Sequence, residues 1–118
     1  MLKAGPAKKV TIYLGEDVHR GRQPLYLAIL NYLFSHRVSG ATVFKGVAGF
    51  GAHHHLHTAR ILEMSANLPI KIEFVETVEM LEKILPELLE LSGDAIVDVQ
   101  DTNVLHVGNP NPRNDANP

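Results

Sequence analysis

An α+β domain is what the order of segments in this chain predicts. Three observations carry the prediction. Short β-branched runs with period-two alternation, such as Val10–Leu14 and Ile70–Val75, read as strands. Two longer stretches place apolar residues at three-four spacing and read as amphipathic helices. The order is β-α-β-loop-β-α-β, the split βαβ or ferredoxin-like sandwich (βαββαβ): an antiparallel sheet, two helices on one face, and a long loop between strands two and three.

Each element has a local reason. In the first strand Val10, Ile12 and Leu14 share a face, and Gly15-Glu16-Asp17 ends it. After the polar loop His19-Arg20-Gly21-Arg22, Pro24 suits the first turn of a helix, where its missing N–H costs nothing. Leu25, Ala28, Ile29, Tyr32 and Leu33 form that helix's apolar stripe, and it is expected to stop near Gly40. Ala41–Lys45 is the second strand. The third, Ile70–Val75, points Ile70, Ile72 and Phe74 one way and Lys71 and Glu73 the other. Thr77 is a plausible N-cap for the second helix, whose stripe is Val78, Leu81, Leu85 and Leu88; Glu76 and Glu79 suit its positive N-terminal end. Pro86 is expected to kink or split that helix, and Ser92-Gly93-Asp94 to stop it. Ala95–Val99 reads as a fourth strand and Val104–Val107 as a short fifth.

Composition bounds the function. The length of 118 residues fits one domain, residues 1–107, followed from Gly108 by a tail with three prolines and four asparagines that cannot bury a core and reads as disordered. A net charge of −2 supplies no basic field for nucleic acid and no pull toward an anionic membrane. The absence of cysteine excludes disulfides and thiolate metal sites and is compatible with a cytoplasmic location. Gly5-Pro6 interrupts the start of the chain before any apolar run, so no signal peptide is expected. No apolar run approaches the ~18 residues of a membrane span, so the chain is not expected to insert into a membrane.

The stretch from Gly40 to Phe74 concentrates the unusual residues. A glycine-punctuated loop, Gly46-Val47-Ala48-Gly49-Phe50-Gly51, leaves the second strand, and four histidines follow within five residues, His53, His54, His55 and His57. Loops of this length in compact domains are commonly functional. The segment Thr58–Ser65 fits helix or strand equally.

Taken together these residues resemble a known family. The runs Ile12-Tyr13-Leu14-Gly15-Glu16, Pro24-Leu25-Tyr26, Gly40–Gly46, Gly49-Phe50-Gly51 with His57-Thr58, and Leu68–Glu73 occur in the order seen in the P-II-like domain of unknown function family numbered 190. The likeness covers nearly all of residues 8–107. It implies kinship with the nitrogen regulatory P-II proteins: a homotrimer packed through its sheets, a long effector loop that contacts a partner such as a transporter or enzyme, and adenine nucleotides held between subunits at the loop's base. Carried over by position, that base is Lys45, Gly46, Gly49, Phe50 and Gly51; Glu16 and Arg20 also resemble family positions. The chain departs from the P-II pattern elsewhere. The turn after the second helix is Leu91-Ser92-Gly93-Asp94-Ala95, with no lysine, and the last strand carries Asn103, Val104 and His106 where P-II proteins place arginines. The usual ATP-holding groups thus lack counterparts, as does the modified tyrosine of the P-II loop.

The residues themselves keep alternatives open. Successive N–H groups of a glycine-rich turn cradle an anion, with Lys45 adding a point charge, but the same turn also simply lets a chain leave a strand. His53, His55 and His57 share a face of an extended chain and suit a divalent metal such as zinc, copper or nickel; the alternative is a solvated polar loop. Glu16 and Arg20 either line a subunit cleft or pair at the surface. The sheet face carrying Thr11, Tyr13, Phe44, Lys71, Glu73 and Val75 is either solvated or an oligomer interface. No nucleophile, base and orienting group stand at motif spacing, so catalysis is not expected. The sequence thus predicts a non-catalytic regulatory trimer with a small anionic ligand, and a metal-binding trimer as its rival.

Overall fold

The computed structural model describes residues 1–50 and 68–108, together with the backbone of 57–58. Four strands form one antiparallel sheet: β1 (Gly5–Gly15), β4 (Thr42–Lys45), β7 (Pro69–Glu76) and β8 (Ile96–Val104). Their spatial order is β4-β7-β1-β8. Two helices, α1 (Leu25–Ser35) and α2 (Val78–Ser92), pack on one face. Between these lie two small ribbons, β2 (His19–Arg20) with β3 (Gln23–Pro24), and β5 (Ala48–Gly49) with β6 (His57–Thr58).

The core follows from the period-two pattern. β1 and β7 pair so that Val10 faces Phe74, Ile12 faces Ile72 and Leu14 faces Ile70. Cross-strand partners share a face, so these side chains form one apolar surface. Leu25, Ile29 and Leu33 of α1 and Leu81, Ile84 and Leu88 of α2 close over it. Full burial of such a side chain contributes about 1.5–3 kcal/mol, which makes this layer the main source of stability. Tyr32 joins the helices: its hydroxyl donates to the Ile84 carbonyl at 3.0 Å. Burial, and then the negative charge of Glu87, raise its phenol above the ordinary 10.0.

The ends of α2 match expectation. The Thr77 hydroxyl accepts from the Met80 amide at 3.2 Å, and Gly93 ends the helix with φ of 58°. Pro86 does not split α2, which is continuous from Val78 to Ser92. The carbonyl deprived of its partner belongs to Glu82, and both Glu82 and Pro86 lie on the exposed face, where water replaces the missing N–H.

Three boundaries differ from the sequence reading. Helix α1 ends at Ser35 rather than near Gly40. Arg37 takes a left-handed conformation (φ 61°), while the Val38 amide donates to Leu33 and the Arg37 amide to Phe34. This is a Schellman end with arginine where glycine is usual. The short fifth strand at Val104–Val107 does not form. Strand β8 instead runs unbroken through Val104, and Leu105 beyond it is 85% exposed. Strand β1 begins at Gly5, ahead of Val10, because its first residues pair with the end of β8. Pro6 is tolerated there because the β7 pairing starts only at Lys8, leaving one side of β1 without a neighbour that needs an N–H. Lys8 and Asp101 form an ion pair across this extension.

Glu76, which the sequence reading places at the positive end of α2, is fully buried. One carboxylate oxygen accepts from the Ser39 hydroxyl at 2.6 Å and from the Ser39 amide at 3.3 Å. The other finds no partner among the described residues. The α1–β4 connection is thereby tied to the end of β7. Removing a donor from a buried charged group costs about 1–3 kcal/mol. Ser39→Ala is therefore expected to lower the thermal midpoint by about 4–8 °C for each kcal/mol lost, read by calorimetry; an unchanged midpoint would show that the Glu76 carboxylate does not depend on Ser39.

Candidate functional site

Strand order explains why residues far apart in sequence meet. Because β7 lies between β1 and β4, its first residues separate the C-terminal ends of those two strands. Leu68 and Pro69 supply a carbonyl to each side: the Glu16 amide donates to Leu68 at 2.9 Å, and the Gly46 amide donates to Pro69 at 2.7 Å. Lys45 faces Ile70 in register, on the side of the sheet that carries the helices. Its ammonium reaches past the start of β7 to the Glu16 carboxylate, with Nζ 2.9 Å from Oε2.

The glycines are required by closeness. A Cβ on Gly46 would lie 2.7 Å from Pro69 Cγ, and one on Gly49 would lie 3.0 Å from the same atom. The pyrrolidine ring is therefore the wall against which the loop's first turn is laid. Gly49 and Ala48 then pair with His57 and Thr58, so the outgoing and returning strands of the loop form a two-rung ribbon directly above this wall.

Of the residues singled out from sequence, Gly46 and Gly49 lie against Pro69, and Glu16 and Lys45 meet in an ion pair across the start of β7. Phe50 follows Gly49 and is 64% exposed. Arg20 is exposed on the β2–β3 ribbon, and the carboxylate of Glu16 is paired with Lys45 rather than with it. Gly51, His53 and His55 lie outside the described residues, as do residues 59–65 and the tail beyond Gly108; His57 is described in its backbone alone. Among the described residues no group of three His, Cys, Asp or Glu side chains is placed to hold a metal ion. Sequence reasoning missed Pro69 as part of the site. The missing signal was spatial, since only the β7 position puts that ring beneath Gly46 and Gly49.

The uncovered sheet face lies away from the helices. Register places Ile96, Tyr13, Lys71 and Phe44 in one row across four strands, and Thr11 beside Glu73 in the next. Tyr13 and Phe44 are each 45% exposed and Ile96 is 56% exposed. The Lys71 ammonium sits 4.8 Å from the centre of the Phe44 ring, and Glu73 lies 3.6 Å from both Lys9 and Lys71. The face combines an apolar row with a fixed pattern of charge.

This is the fold of PII-like signalling proteins. A protein from Thermus thermophilus, described as a candidate PII-like signalling protein, superposes with a TM-score of 0.62 at 20% identity, over 88% of this chain and 94% of its own. CPII of Thiomonas intermedia K12, a nitrogen regulatory PII-like protein described as bound to ADP, AMP and bicarbonate, gives a TM-score of 0.59 at 21% identity over 90% and 94%. The chain belongs to the DUF190 family, described as "Uncharacterized ACR", whose profile matches residues 7–104. Its relatives include a UPF0166 protein of Methanocaldococcus jannaschii, 33% identical over 83% of this chain and 91% of that one, and one of Aquifex aeolicus, 23% identical over 85% and 94%.

The contact between Gly46 and Pro69 can be tested directly. Gly46→Ala is expected to destabilise the protein by about 1–3 kcal/mol through overpacking. Pro69→Ala, which removes Cγ, should recover part of that loss. A denaturation double-mutant cycle measures this, and additive losses would show that the two residues do not press on one another.

Proposed function

We propose that this protein is a non-catalytic regulatory module of the PII-like kind, working in the cytosol as a homotrimer that packs through its open sheet face. A small anionic ligand, an adenine nucleotide such as ADP or AMP, binds at the seam beside Lys45, Gly46 and Gly49. Its binding acts on the loop that leaves at Gly46 and returns at Leu68, and through that loop on a protein partner such as a transporter or enzyme. The observation that carries the reading is a glycine turn laid against Pro69 at the root of a long loop, with the cation of Lys45 immediately before it. The nucleotides held by the Thiomonas protein of the same fold support the ligand class. The row Ile96, Tyr13 and Phe44 supports the trimer, since apolar side chains exposed together gain by burial. Among the described residues no helix is long and apolar enough to cross a membrane.

Coupling in this reading is a shift of population. The ligand stabilises those loop conformations that complete its site, and by no more than its difference in affinity between them.

Two measurements test it. Light scattering is expected to give three times the 13.0 kDa chain mass, and Tyr13→Asp with Phe44→Asp to reduce it to one; a monomeric native protein removes the seam. Titration calorimetry is expected to show saturable sub-millimolar binding of ADP or AMP, weakened about tenfold or more in Lys45→Ala by loss of a charge-assisted bond. No heat from any adenine nucleotide would defeat the ligand assignment.

A further inference from the structure

The two helices cover the same sheet but differ on their outer sides. α2 exposes Glu79, Glu82, Lys83 and Glu90, the charged side usual for a surface helix. α1, opposite its buried Leu25, Ile29 and Leu33, turns Leu27, Asn31 and Phe34 outward, with half-buried Leu30 beside them. Phe34 is 84% exposed and Leu27 37%. No charged residue occurs between Arg22 and His36. A helix apolar all round is normally buried all round, whereas this one is covered on its sheet side alone. Charge is segregated along the chain in the same sense, behind a net charge of only −2. No Asp or Glu lies between Asp17 and Glu63, a stretch that carries Arg20, Arg22, Arg37, Lys45 and Arg60. From Glu73 to Asp101, by contrast, nine acidic residues accompany Lys83 alone. Exposed Arg20 and Arg22 precede α1, and exposed Arg37 follows it. Arg37 holds a left-handed φ of 61° at a helix end where glycine is usual, so the chain sets a cation there against its local backbone preference. At that end the carboxylate of Glu87 lies 3.6 Å from His36 Nε2.

We propose that the outer side of α1 is a peripheral membrane surface: Leu27, Leu30 and Phe34 enter the headgroup layer of an anionic bilayer, while Arg20, Arg22 and Arg37 meet lipid phosphates at the two ends of the helix. The inference needs neither the nucleotide nor the trimer. Three features select this occupant. The outer side of a helix is a convex ridge; a bilayer yields to a ridge, whereas a protein partner must supply a groove that matches it. The uncharged stripe bounded by cations at both ends is the pattern by which a helix lies in an anionic interface, its apolar side in the acyl boundary and its basic groups at the phosphates. A second copy fits less well, because an antiparallel two-fold pairing of α1 with itself brings Arg22 of one chain toward Arg37 of the other, like charge toward like. The stripe from Leu27 to Phe34 is roughly 10 Å long, so the attachment is reversible and depends on apolar burial and charge together.

Two substitutions separate the apolar and charged parts without touching the core. Phe34→Gln changes an exposed side chain, and Arg37→Gly removes a cation at a φ that glycine adopts freely. The experiment is flotation of the full chain with vesicles of phosphatidylcholine alone and of equal parts phosphatidylcholine and phosphatidylglycerol. The native protein is expected to rise with the mixed vesicles, more weakly with phosphatidylcholine alone, and less with the mixed vesicles as salt is added. Phe34→Gln should weaken partition at least about tenfold, the loss for a large apolar side chain no longer buried. Arg37→Gly should weaken it about fivefold on the mixed vesicles and little on phosphatidylcholine. If the native protein stays with neither vesicle, the lipid assignment fails. If in that case light scattering shows that Phe34→Gln lowers the mass of the native assembly, a second copy covers the stripe instead. If the native protein rises and Phe34→Gln rises equally well, another surface meets the lipid and the assignment to α1 is overturned.

Discussion

The architecture depends on one placement: the start of β7 wedged between the ends of β1 and β4. From there Leu68 and Pro69 receive amides from Glu16 on one side and Gly46 on the other. Two loops that are remote in sequence are thereby anchored to one dipeptide. The same placement makes β7 a central strand, buried on the helix side through Ile70, Ile72 and Phe74. Its position is therefore set by the core, and the loop foot inherits the rigidity of that core. A site on such a foot needs no flexible element to hold its geometry, which is the condition for precise ligand positioning.

The two faces of the sheet obey different rules. On the helix side, apolar side chains are matched across strands and covered. On the other side small or polar residues, Ala7 and Thr11, are buried among larger neighbours, while Tyr13, Phe44 and Ile96 stand out. Charge is arranged around them, with Lys9 and Lys71 both held by Glu73. Surface ion pairs of this kind contribute little to stability, at most about 1 kcal/mol each. Their interest is orientational: they fix where charge sits relative to the apolar row, and such a pattern favours one mode of association over others.

Where the pattern of side chains is periodic, the fold is legible in the sequence. Ile70, Ile72 and Phe74 announce β7 and its buried face, and Thr77 and Gly93 mark the limits of α2. What escapes has physical causes. Arg37 occupies a left-handed position for which arginine gives no signal, so the sequence reading runs α1 too far. The run Asp98, Gln100, Asp101 lacks apolar alternation and divides one strand into two on pattern alone; its pairing with Lys8, Lys9 and Thr11 of β1 holds it instead. The β2–β3 and β5–β6 ribbons are two residues per strand and carry no period at all. At the loop foot the residue types are legible one by one. The Lys45–Glu16 pair is not, because the two residues are remote in sequence and only the strand order brings them together.

That pair also bears on how, in the proposed function, a small ligand would govern a long loop. Lys45 is the last residue of β4 and Gly46 follows it, so any group that draws Lys45 away from Glu16 acts at the loop's first peptide. The glycine turn then passes directly into β5, whose rungs with His57 and Thr58 carry the constraint to the loop's returning strand. A ligand seated on this turn thus touches both limbs of the loop through backbone alone. Neither contact requires a particular side chain at the tip, where partner recognition resides in the proposed function. In the proposed function, separation of this kind would let tip residues change with the partner while the foot, whose geometry the core holds, keeps its ligand.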